Sequence, residues 1–180
     1  MRHLSTSSNR FRKLLALWFF AGSASASGLL TPASVLAEIN ARGAHAVVQD
    51  IFEKPKWGEI LAKIETGQHQ WLDVAVKLFA GTDAGSSEEL ALAVGVALLH
   101  QPRQVLMQVA PVLGIEEVCS SPDIDDPRWS TQKKAIENLD ARTAAVSRLS
   151  GADIAAARAS CLKSLREARA ILASPNGPYS

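Results

Sequence analysis

Apolar residues recur at helical spacing through most of the chain. Trp57, Ile60, Leu61 and Ile64 fall at i, i+3, i+4 and i+7, with Lys56, Glu59, Lys63 and Glu65 on the other side. This spacing predicts one face of a helix that Gly67 ends. Trp71, Ala75, Leu78 and Phe79 repeat the stripe. A turn-rich break from Gly81 to Gly85 follows, and Ser86-x-x-Glu89 has the form of a capping box where the next helix should begin. From Leu90 to Leu99 the chain is apolar on all sides, which predicts a helix at the buried centre of the domain. Gly95 within it would permit a close helix crossing. Pro102 opens a further helix with Val105, Leu106 and Val109 inward, and Pro111 ends or bends it.

The flanks follow the same logic. Thr31-Pro32 reads as a cap and first helical residue, Val35, Leu36 and Ile39 form the stripe, and Arg42-Gly43 stops it. Val47, Val48, Ile51 and Phe52 predict a second helix from Ala44 to Glu53, ended by Lys54-Pro55. Gly114 to Trp129 has no period and is expected to be a loop. Ser130 is then placed to cap a helix with the stripe Ile136, Leu139, Thr143 and Val146. After Gly151 a last helix carries Ile154, Ala157, Cys161, Leu165, Ala168 and Leu172. These last two form an expected helical hairpin, and residues 174–180 an expected flexible tail. No repeat period survives along the chain, so an irregular bundle fits better than a solenoid. The expectation is an all-α fold of about seven helices. Abundant Ala and Leu with few aromatic residues agree with it.

The N-terminus changes how the composition is read. Arg2, Arg10, Arg12 and Lys13 precede an apolar block, Leu14 to Ala21, and then the small residues Ala24-Ser25-Ala26. Basic, apolar and small-residue blocks in this order predict a secretory signal peptide over residues 1–26. The apolar block is well short of the roughly 20 residues of a membrane span, although an uncleaved anchor is the competing reading. Four of the 19 basic residues lie in this segment and none of the 18 acids, so the chain from Ser27 carries 15 basic and 18 acidic residues, formally −3. A mildly acidic domain offers no electrostatic footprint for nucleic acid. About 154 residues remain, enough for one domain over 27–173 with a single core.

The chain has two cysteines, Cys119 and Cys161. In an exported protein such a pair predicts a disulfide, with two buried thiols as the alternative. Closing this loop of about 43 residues would contribute roughly 4 kcal/mol in the chain-entropy account. No CxxC is present, which removes the redox and zinc-knuckle patterns.

Candidate chemistry is thin. His45, His69 and His100 are read as having no His, Cys or carboxylate partner at metal-ligand spacing. Asp123, Asp125 and Asp126 resemble the start of a calcium loop, but the sixth position is Arg128 and the twelfth Lys134, which excludes an EF-hand. Arg128 and Trp129 beside these acids form either a binding anchor or a lid over the core. GxSxG, HExxH and GxGxxG patterns are missing, as is a glycine-rich phosphate loop. No catalytic residue, cofactor or metal site is assigned.

WLDVAVKLFAGTDAGSSEELALAVGVALLHQPRQVL, then VCSSPDID and a late helix with its own Cys, resembles small exported α-helical proteins of proteobacteria. The resemblance spans roughly Gln68 to Leu162, and its most specific part is Cys119-Ser120-Ser121-Pro122 with the distant Cys161. It implies a helical fold and a disulfide, and carries over no activity. The expected function is a periplasmic or secreted, non-catalytic protein that binds another protein of the cell envelope. An immunity-type inhibitor of a cell-wall-targeting effector is its specific version. A small enzyme or ligand carrier, with a site between helices near the Cys119 loop, is the alternative.

Overall fold

In a computed structural model, residues 30–120 and 126–179 are described, and they contain nine helices and no strand. The segment expected to be a signal peptide and the candidate residues Asp123 and Asp125 lie outside them. In order the helices are α1 (Pro32–Arg42), α2 (Ala44–Ile51), α3 (Pro55–Glu65), α4 (His69–Phe79), α5 (Ala84–Ala97), α6 (102–113), α7 (Ile115–Ser120), α8 (Gln132–Ser147) and α9 (Ala155–Ala173).

Local chemistry sets most of their ends. Thr31 Oγ1 accepts the Ser34 N–H and Ser34 Oγ accepts the Thr31 N–H, each at 3.1 Å, so α1 starts on a closed capping box. Gly43, at φ 83°, ends α1 by donating its N–H to the Ile39 carbonyl. The α5 cap differs from expectation. Asp83 is the N-cap, and Ser86 closes the box from the third helical position instead of opening one with Glu89. Ser86 Oγ donates to Asp83 Oδ1 at 2.6 Å and is fully buried, so α5 starts earlier, where a carboxylate can accept two hydrogens. Likewise Thr131, not Ser130, caps α8.

The largest departure from the sequence reading lies between Pro102 and Ser120. Pro111 does not end the helix; α6 passes through a π-helical turn, Val105–Val109, and resumes to Leu113. Proline cannot donate in the ladder, and the wider turn takes up the defect by pairing the Ala110 N–H with the Val105 carbonyl. Gly114 at φ 99° then turns the chain into α7, so Cys119 lies on a short helix where a loop was expected.

One continuous core runs from Val35 to Leu172. Helix α3 packs on α5, α1 on α4, and α7 is held between α5 and α9. Helices α8 and α9 form the C-terminal hairpin, with Arg169 bonded to Asp140 across it at 2.6 Å. Cys119 and Cys161 are disulfide-bonded, both fully buried, with Cα atoms 5.4 Å apart, and the bond fixes α7 to α9. The expected Gly95 crossing is present: a Cβ there would lie 2.9 Å from the Val118 carbonyl oxygen and 2.7 Å from Arg142 Nη1. Arg142 corrects the α8 stripe, which turns toward Ala135, Asn138, Leu139, Arg142 and Val146 and leaves Thr143 half-buried. Beyond α9, where a flexible tail was expected, Tyr179 packs against the core and donates its hydroxyl to the Trp129 carbonyl at 2.7 Å. No helix among the described residues is long and apolar enough to cross a membrane.

Candidate functional site

Two apolar stripes, not one, run along α3. The inner stripe of Trp57, Ile60 and Ile64 is buried. A second, formed by Gly58, Leu61 and Ala62 and ending one turn on at the carboxylate of Glu65, faces outward beside Glu88, Leu92 and Val96 of α5. Between these stripes lies a groove of about 640 Å³, closed on its third side by the turn from Asp126 to Trp129. Leu61, Leu92 and Val96 are half-buried in its floor, which corrects the reading of Leu61 as a core position and of α5 as buried on every side. Gly58 has nothing within 4 Å of where a Cβ would stand, so the groove stays open at that point.

The third wall is fastened by one arginine. Arg128 donates to both carboxylate oxygens of Glu65 at 2.7 Å and, through Nε, to Asp126 at 2.6 Å. The Arg128 backbone N–H also donates to Asp126 Oδ1 at 2.7 Å, and Pro127–Trp129 forms a single 3-10 turn. Bidentate guanidinium–carboxylate geometry fixes orientation as well as distance. Glu65 first and then Asp126 raise the Arg128 pKa further above its ordinary value. Burial alone would lift the Asp126 carboxyl, but hydrogen bonds from the Arg128 side chain and backbone, with its charge, hold it below the usual aspartate range. The arginine also lies over the Trp129 ring, 5.6 Å from the centroid.

Sequence reasoning left Trp129 between a binding anchor and a lid over the core. Its ring is half-buried and packed on the core, while one side lines the groove. Of the predicted surface, Asp126, Arg128 and Trp129 are brought together at the groove wall; Asp123 and Asp125 fall in the segment that is not described. The members that sequence reasoning missed are on α3 and α5. Their signal was an excess of apolar positions: Leu92 and Val96 made α5 apolar beyond what one buried face requires.

The remaining candidates are dispersed. His45 is bonded to the Gly81 carbonyl through Nδ1 at 3.2 Å, and a Cβ on Gly81 would meet the backbone of Ala44 at 2.2 Å. His69 does have a carboxylate one turn on, contrary to the sequence reading: Asp73 lies 3.8 Å away on the exposed side of α4. Among the described residues no three His, Cys, Asp or Glu side chains lie close enough together to hold a metal ion. In the groove, Glu89 accepts the Trp57 indole N–H at 2.6 Å, tying α5 to α3. No protein-family model, curated protein or solved structure matches this chain.

Proposed function

We propose that this is an exported, non-catalytic binding protein of the cell envelope, and that the α3–α5 groove receives a segment of another protein. The observation that carries the reading is a groove with an apolar floor and a rigid wall bearing Trp129 and Arg128. Trp and Arg are the residue types most often found at binding hot spots, and a pre-ordered wall lowers the entropy lost on association. Its carboxylates Glu65, Glu89 and Asp126 are engaged in fixed hydrogen bonds, an arrangement that suits a binding surface better than proton transfer. Inhibition of a cell-wall-targeting effector is the specific version of this reading. Export rests on the N-terminal pattern, and a mature protein beginning at Ser27 is the expected product.

One observation favours the alternative of a small ligand carrier: the groove volume falls in the range of roughly 300–1,000 Å³ typical of small-molecule sites. A photo-reactive amino acid placed at the exposed Ala62, with Lys163 on α9 as control, separates the two readings. Joining of Ala62, and not Lys163, to one envelope polypeptide supports protein binding. Equal labelling at both positions, or copurification of a small molecule that blocks Ala62, overturns it.

A further inference from the structure

Taking the groove as a protein-binding site, we infer the chemistry of its occupant: a helical segment with an apolar face flanked by Lys or Arg. The inference rests on the groove reading above and adds to it the sign of the partner's charge. On the α5 rim, Glu88 is exposed and makes no hydrogen bond or ion pair among the described residues. Beside it Glu89 accepts a hydrogen from the Trp57 indole, a neutral donor that brings no positive charge to the rim. Across the groove, the Arg128 charge is spent on two carboxylates, Glu65 and Asp126, both within the protein. Arg142 is 1 % exposed at the inner end and is engaged within the protein. The wall opposite α5 therefore presents no unbalanced positive charge to an incoming chain, while the α5 rim presents two carboxylates.

The floor defines the rest. The α3 side runs from Gly58 to Glu65 and the α5 side from Gly85 to Val96. At about 1.5 Å per residue these are lengths of roughly 10 and 16 Å, or two to three turns of a docked helix. Two walls made of parallel side-chain rows with an apolar floor suit recognition of an amphipathic helix by its i, i+3, i+4 and i+7 anchors. Opposite charges along the rim would set its orientation and speed its approach more than they add affinity.

The test uses the full chain with its disulfide closed and three synthetic 14-residue helical peptides. One carries leucines at i, i+3, i+4 and i+7 with flanking lysines; the second replaces those lysines by glutamates; the third is a scramble of the first. Binding is read by calorimetry at low ionic strength. The lysine peptide is expected to bind at least tenfold more tightly than the glutamate peptide and the scramble. Glu88→Gln with Glu89→Gln should remove most of that preference, because a glutamine at 89 can still accept the Trp57 hydrogen. Gly58→Leu should abolish binding by filling the groove, with the helical circular dichroism retained. Equal binding of the two charged peptides, or binding that survives Gly58→Leu, overturns the inference. If Ala62 still cross-links to an envelope protein in that case, the charge assignment fails and the binding function stands; if neither peptide binding nor cross-linking is seen, both fail.

Discussion

Ile60 and Leu61 are neighbours on α3 with side chains of equal size, yet Ile60 is fully buried and Leu61 is half-buried beside open space. The same division separates Gly95 from Gly58. A methyl group on Gly95 would press on the Val118 carbonyl and the Arg142 guanidinium, whereas one on Gly58 would meet nothing within 4 Å. Side-chain size is the same in each pair; what differs is whether another helix lies opposite. The inner faces of α3 and α5 are saturated with intramolecular contacts. Their outer faces carry apolar residues that the described chain leaves only half-buried, and these line the groove.

Substitutions on the two faces should therefore diverge. Ile60→Ala is expected to lower stability by about 2–5 kcal/mol, the range for truncating a fully buried aliphatic side chain, while Leu61→Ala should cost distinctly less. Chemical denaturation of both variants measures the difference, and equal losses would place Leu61 in the core after all. Next in size, replacing Cys119 and Cys161 together by alanine should cost about 2–4 kcal/mol, because the bond restrains a long loop in the unfolded chain. The loss should appear in the melting temperature while the groove chemistry, which the disulfide does not touch, is retained.

Smaller effects sharpen the contrast. Gly58→Ala should stabilise the protein by up to about 1 kcal/mol through helix propensity alone, and Gly95→Ala should destabilise it despite the same gain. Thermal melts of the two variants should move in opposite directions. The smallest effect concerns the wall. Because Asp126 is held below its ordinary pKa, the stability it lends is fully present above the unfolded value of about 3.9 and is lost as pH falls through the lower folded value. With Arg128 half exposed the energy involved is under about 1 kcal/mol. Trp129 fluorescence should stay constant from pH 7 to 5 and change only below about 4, and a transition near neutrality would contradict the pairing.

Much of the architecture was legible in local pattern. Val35 and Ile39 on α1, Trp57, Ile60 and Ile64 on α3, the Thr31-Pro32 start and the Gly43 stop are short-range matters of periodicity and capping, and they are found where spacing places them. Cap positions slipped at Asp83 and Thr131, where several polar residues in succession compete for the same N–H groups. The π turn at Val105–Val109 and helix α7 were not legible, since a proline defect and a six-residue helix are settled by what packs around them. Arg142 was unreadable for the same reason. An arginine reads as solvent-exposed until α5, narrowed by Gly95, closes over it.

The sequence by itself determined the helical class, the inner stripes and the availability of two cysteines, because each follows from residue type and spacing within a few turns. Only the tertiary structure decided which apolar faces would be left uncovered. Leu61, Leu92 and Val96 carry the same hydrophobic signal as the core residues beside them. Whether such a residue is buried depends on a helix that arrives from elsewhere in the chain, and along this groove the described chain supplies the turn of Arg128 and Trp129 and, at the inner end, Arg142.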